Sequence, residues 1–98
     1  MQITKKQNAS SLVIGLEGRL DTTTAPELEQ ALKESLDGVS ELTLDFEKLE
    51  YISSAGLRVL LSARKQMNRQ GSMKLVHVGE MIREVFEVTG FVDILTIE

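Results

Sequence analysis

A chain of 98 residues with 42% hydrophobic content, a single Pro and a net charge of −4 has the make-up of one globular domain, residues 1–98, built around one core. The acidic balance argues against nucleic acid as the main partner, and the absence of Cys removes disulfide frameworks and thiolate metal sites. The first residues lack the apolar core of a signal peptide and no run is long enough to cross a bilayer, so a soluble, cytoplasmic protein with no membrane insertion is expected.

Residues 2–5 alternate weakly and predict an edge strand. Gln7-Asn8-Ala9-Ser10 reads as a polar turn, and Leu12 to Leu16 as a firm second strand that could form a hairpin with the first. Gly18-Arg19-Leu20-Asp21 leads to a helix in which Thr24 and Glu27 make a capping box and Pro26 sits in the first turn. Leu28, Ala31, Leu32 and Leu36 supply its buried face, and Asp37-Gly38 ends it. A third strand is predicted over roughly 40–45, followed by a long connection, Phe46 to Ile52, that Leu49 and Ile52 pin to the core. A second helix runs from about Ser54 to Arg69, with Leu57, Leu60, Leu61 and Met67 on one face and Ala63 beside them. Met73 to Val78 predicts strand four, with His77 buried among Leu75, Val76 and Val78. Gly79 to Val88 predicts helix three, with Ile82, Val85 and Phe86 inward, and Thr89-Gly90-Phe91 has the pattern of a glycine stop. Ile94 to Ile97 closes the chain as a fifth strand. The order β-β-α-β-α-β-α-β implies an α/β fold with a small, mixed, mostly parallel sheet of four to five strands.

Charge is unevenly spread. From Glu17 to Glu50 ten acids face only Arg19, Lys33 and Lys48, whereas from Tyr51 to Met73 there is no acid and the cations are Arg58, Arg64, Lys65 and Arg69. The last three suit the carboxyl half of a helix, but Arg58 falls in the first turn, where a cation is locally unfavourable.

The stretch Tyr51 to Leu61 is the centre of the chain. Ser53 or Ser54 is placed to cap the second helix, beyond the carboxyl end of a strand, at a helix terminus that favours anions. Asp21-Thr22-Thr23, Asp45 and Ser53-Ser54 are expected to gather at the carboxyl edge of the sheet, where open α/β sheets present their functional surface. Catalysis finds little support. A nucleophile elbow needs Gly where Ile52 stands, and the only imidazole, His77, has the setting of a structural residue. One His and no Cys leave no transition-metal set, Asp21 with Asp45 is a weak Mg²⁺ argument, and no phosphate-cradling glycine motif occurs. A recognition and modification site without metal or cofactor, not an enzyme, is the expectation.

These residues resemble a known family. Gly18-Arg19-Leu20-Asp21, the strand Leu42-Thr43-Leu44-Asp45 and Ile52-Ser53-Ser54-Ala55-Gly56-Leu57 are similar to the STAS domains, above all to the stand-alone anti-sigma-factor antagonists of bacteria, over essentially the whole chain. The resemblance implies a partner switch. The unphosphorylated domain binds an anti-sigma factor that is itself a serine kinase and frees the sigma factor. Phosphorylation at the start of the second helix ends that binding, and a phosphatase reverses it. Carried over, the acceptor matches Ser54, Gly56 and Leu57 complete its motif, and Asp21 matches the acid of the upstream turn. The implied partner surface is Asp21, Thr22, Thr23, Ser53, Ser54, Gly56, Leu57 and Arg58. Well-known members carry Asp before the acceptor, where this chain has Ser53, and Ser or Thr after it, where this chain has Ala55, so Ser53 is the alternate acceptor. STAS domains also serve, without phosphorylation, as adaptors docking transporters or sensory complexes, and this is the rival reading.

Overall fold

The computed structural model describes residues 1–98. Strands β1 (Gln2–Asn8), β2 (Ser11–Leu20), β3 (Glu41–Ile52) and β4 (Ser72–Val76) alternate with helices α1 (Ala25–Ser35), α2 (Ser54–Gln70) and α3 (Glu80–Thr89), and a 3₁₀ turn, Phe91–Asp93, follows. The sheet has the order β1-β2-β3-β4. The β1–β2 hairpin is antiparallel, turning tightly at Ala9-Ser10 between Asn8 and Ser11, while β2–β3 and β3–β4 are parallel. No helix is long and apolar enough to cross a membrane.

One face of the sheet carries all three helices. Leu12, Ile14 and Leu16 of β2, Leu42, Leu44 and Phe46 of β3, and Met73 and Leu75 of β4 are buried against Leu28 and Leu32 of α1, Leu60 and Met67 of α2, and Ile82 and Phe86 of α3. Phe46 and Phe86 meet with ring centroids 6.2 Å apart. The alternate residues, among them Val13, Glu17 and Lys74, face solvent. Parallel sheets are usually covered on both faces; here the polar alternation of the strands leaves the second face open.

Two sequence expectations for β3 and the tail change. Residues 46–52 are not a connection but the second half of β3. Between the pairs Gly15–Asp45 and Glu17–Lys48, β3 advances three residues to the two of β2, and between Gly18–Leu49 and Arg19–Tyr51 it advances two to one. Each step is a bulge that adds one outward residue, so Phe46, Leu49 and Ile52 point inward at intervals of three rather than two. The segment 94–97 forms no fifth strand; Ile97 makes a single parallel bridge to Leu75, and Leu95 is buried in the core. The Thr24–Glu27 capping box is also absent, because the Thr24 hydroxyl binds the Asp21 N–H and the Arg19 carbonyl instead.

Helix α2 seats on the ends of β2 and β3 through Gly56. A Cβ there would lie 2.7 Å from Leu20 Cγ and 3.0 Å from Ile52 Cγ1, both in fully packed side chains. At the other end, a Cβ on Gly71 would meet the Ser40 backbone, and the Gln70 amide donates to the Leu36 and Val39 carbonyls at 2.7 and 2.6 Å. Gly→Ala in an open helix stabilises by about 1 kcal/mol, but overpacking costs roughly 1–3 kcal/mol. Gly56→Ala is therefore expected to lower the urea midpoint, and a raised midpoint would show that Leu20 yields without cost.

Asp45 and His77 are both displaced from their expected places. Asp45 does not end a strand; it sits in the middle of β3, paired with Gly15 on one side and Val76 on the other. His77 is not in a buried strand. β4 stops at Val76, and His77 turns away with φ +57° and a side chain 60% exposed, its Nδ1 2.9 Å from Asp45 Oδ1. The hydrogen bond to Asp45, then its charge, raise the His77 pKa above the ordinary 6.5. Burial pushes the Asp45 carboxyl up, but the Glu47 N–H and His77 outweigh it and hold Asp45 below its ordinary 3.8. The histidine's contribution to stability is full below 6.5 and disappears as pH rises through its raised pKa. The aspartate's is present above 3.8 and is lost as pH falls through its lowered pKa. The pair thus works best in weak acid. Thermal unfolding of wild type and His77→Gln should differ most in weak acid, between the ordinary values of the two groups, and converge as pH rises past the raised pKa of His77; a difference independent of pH would mean the ring acts by packing alone.

Candidate functional site

The carboxyl ends of β2 and β3 finish side by side, Leu20 paired with Ile52, and the Ser53 N–H continues the ladder to the Leu20 carbonyl at 2.9 Å. The two segments that follow, 21–24 and 53–58, are therefore neighbours by construction. Asp21 opens the first with an Asx turn. Its Oδ1 accepts from the N–H groups of Thr23 at 3.0 Å and Thr24 at 3.1 Å, and its N–H donates to Thr24 Oγ1 at 2.9 Å. The Thr24 backbone bond above all, with Thr23 and the nearby Arg19, holds the Asp21 carboxyl below the ordinary carboxylate range. Asp21 is thus a fixed negative charge at this edge, with Thr22 and Thr23 exposed beside it.

The adjacent serines differ in what they do. Ser53 is the cap: it has extended backbone and its side chain accepts from the Gly56 N–H at 3.4 Å, while its carbonyl receives the Leu57 N–H at 3.0 Å. Ser54 is the first helical residue, exposed, and its hydroxyl takes no part in the cap. The amides of the first turn have no acceptor within the helix, so Ser54 Oγ stands in a field favourable to an anion. Gly56 and Leu57 are buried and act by seating the helix. Arg58, one turn on from Ser54, is exposed.

The structure thus brings together Asp21, Thr22, Thr23, Ser53, Ser54 and Arg58 at one edge, with Gly56 and Leu57 beneath them. Asp45 is not part of this group. Its strand partner Gly15 lies six residues before Asp21, about 20 Å along an extended chain. Asp45, Glu47 and His77 bring three ligand-type atoms within 4.8 Å of one another, but Asp45 and His77 already satisfy each other and the cluster stands apart from the serines. Sequence reasoning overlooked a further pair. The Arg19 guanidinium lies 4.2 Å from the centre of the Tyr51 ring, with Nε 3.8 Å from Asp21 Oδ2. Both residues are exposed, and they face each other only because the second bulge of β3 sets Tyr51 opposite Arg19.

Known proteins share this fold. The STAS domain family matches residues 1–98. BtrV of Bordetella bronchiseptica, named as a candidate anti-sigma factor antagonist, is 37% identical over 99 residues, which cover 99% of this chain and 85% of BtrV. The anti-sigma-B factor antagonist of Bacillus subtilis is 30% identical over 93 residues, 94% of this chain and 85% of the relative. Among solved structures, the Bacillus anti-sigma factor antagonist SpoIIAA matches in two forms. Its unphosphorylated form gives a TM-score of 0.78 at 18% identity, covering 99% of this chain and 87% of that one. The phosphorylated form gives 0.77 at 19% identity, with 99% and 91% covered; at such identity the likeness speaks for the fold alone. With the family matched from end to end, and two relatives at 30% identity or more, the chain belongs to the STAS domain family, among the anti-sigma-factor antagonists.

Proposed function

We propose that this chain binds an anti-sigma factor through the edge formed by Asp21, Thr22, Thr23, Ser54 and Arg58, and that phosphorylation of Ser54 by that partner, acting as a serine kinase, ends the binding. The observation that carries this reading is the division between the serines: Ser53 holds the helix, and Ser54 is exposed with an uncommitted hydroxyl at the helix start. A phosphoryl group there adds about −1.5 to −2 charges and three acceptors. The helix dipole and Arg58, four residues on, would accommodate it, so the fold need not change. What changes is the surface, which gains bulk and negative charge beside the fixed carboxylate of Asp21. Loss of binding by desolvation and like-charge repulsion needs only a few kcal/mol, since each 1.4 kcal/mol is about tenfold in affinity. That SpoIIAA is known in an unphosphorylated and a phosphorylated form supports a switch of this kind. A phosphatase acting on Ser54 would close the cycle.

The test is co-purification of the anti-sigma factor from the native cell, phosphosite mapping, and titration of three variants. Ser54→Asp should weaken binding at least tenfold, about 1.4 kcal/mol or more, with thermal stability nearly unchanged. Ser54→Ala should bind like wild type and escape phosphorylation. Ser53→Ala should still be phosphorylated but lose stability by about 0.5–2 kcal/mol, toward the low end because its cap bond is long. Phosphate found on Ser53 in wild type would move the acceptor by one residue. If neither serine is modified and Ser54→Asp binds normally, the domain is a phosphorylation-independent adaptor.

A further inference from the structure

Helix α2 carries four cations and no acid, in a chain with 15 acids and 11 cations. The structure divides the four. Arg64 turns toward the sheet and donates Nη1 to the Met73 carbonyl at 3.1 Å. Arg58, Lys65 and Arg69 are exposed and have no ion-pair partner, all five ion pairs of the chain lying elsewhere. Their spacing of seven and four residues sets them within about 40° of one another around the helix axis, on a line about 16 Å long. Ser54 falls at the head of that line. The helix dipole accounts for Arg69 in the last turn but opposes Arg58 in the first. Three like charges on one face also repel, where a merely solvated face would interleave acids.

We infer that this stripe is a docking rail for an acidic segment of the protein that engages Ser54, an inference resting on the reading above. Charge complementarity selects the partner's chemistry. A chain of net charge −4 with three contacts in line holds duplex DNA poorly. On one flank of the stripe Ser62 and Gln66 are polar and exposed, and on the other the apolar Leu61 is half-buried, so there is no fully exposed apolar edge to enter a lipid surface. On this geometry a phosphoryl group at Ser54 does more than obstruct. It sits at the head of the rail and reduces a local charge of three to about one, removing the attraction that draws the partner in.

The experiment measures affinity for the co-purified anti-sigma factor between about 50 and 300 mM salt. It compares wild type, the stripe variant Arg58→Gln/Lys65→Gln/Arg69→Gln, and a control of equal charge change elsewhere, Lys5→Gln/Lys6→Gln/Lys74→Gln. The stripe variant should bind at least tenfold more weakly and show a flattened salt dependence, with the control within about twofold of wild type. The single variant Lys65→Glu, at an exposed mid-helix position, should fall in the same direction and guards against misfolding of the triple variant. The inference is overturned by equal losses in stripe and control variants, or by no loss in the stripe variants. It is also overturned if wild type binds duplex DNA or phosphatidylserine vesicles more tightly than the anti-sigma factor, or if the stripe proves to mediate self-association. If Ser54→Asp weakens binding while the stripe variant does not, the switch stands and the rail fails; the reverse pattern keeps the rail and removes the switch.

Discussion

The structure depends on the parallel pairing of β2 with β3 being carried to its last rung. These strands are 10 and 12 residues long, and they end together only because two bulges absorb the difference. Without them, Leu20 and Ile52 would not form the floor on which Gly56 sits, and Ser53 would have no Leu20 carbonyl to meet. The positions of Asp21, Ser53 and Ser54 at the end of the sheet follow from that register. The bulges also explain why the inner face of β3 keeps contact with the helices along its whole length, since each returns Leu49 or Ile52 to the core side after two outward residues.

Much of this was legible in the sequence, and the misses have definite causes. The helical periods of 28–36 and 57–67, the stop at Gly71 and the parallel crossovers are all strong local signals. The strand over 46–52 was hidden because its apolar residues recur every third position, a spacing that matches neither the strand period of two nor the helix period. His77 was placed in the core by extending the alternation of Met73 and Leu75 one step too far; the strand ends at Val76, and the backbone leaves the sheet before the pattern repeats. The Asp21 turn was visible as a turn, but not that Thr24 would serve it rather than the helix. Arg19 with Tyr51 could not be read at all until the register was known.

The two serines show how one dipeptide can separate structure from exposure. An N-cap needs extended backbone and an acceptor within reach of the third amide, and Ser53 meets both. Moving one residue into the helix gives Ser54 helical backbone and an outward direction. The same step places Ser54 in line with Arg58, Lys65 and Arg69, so helical geometry alone aligns a hydroxyl with the cations of the face.

The early end of β4 has a consequence for how the sheet resists opening. Up to Asp45, β3 is bonded on both sides; beyond it, β2 is the only neighbour, because β4 stops at Val76. The half of β3 that leads to the serines is therefore an edge strand in all but name, with amide and carbonyl groups open on one side and the ladder interrupted twice by bulges on the other. Cooperative protection against solvent follows the number of simultaneous partners, so amide protection is expected to be greatest at the Glu41 end of β3 and to fall toward the serines. The serines thus follow the part of the sheet with the fewest ladder partners, while the half bearing Leu42 and Leu44 is bonded on both sides.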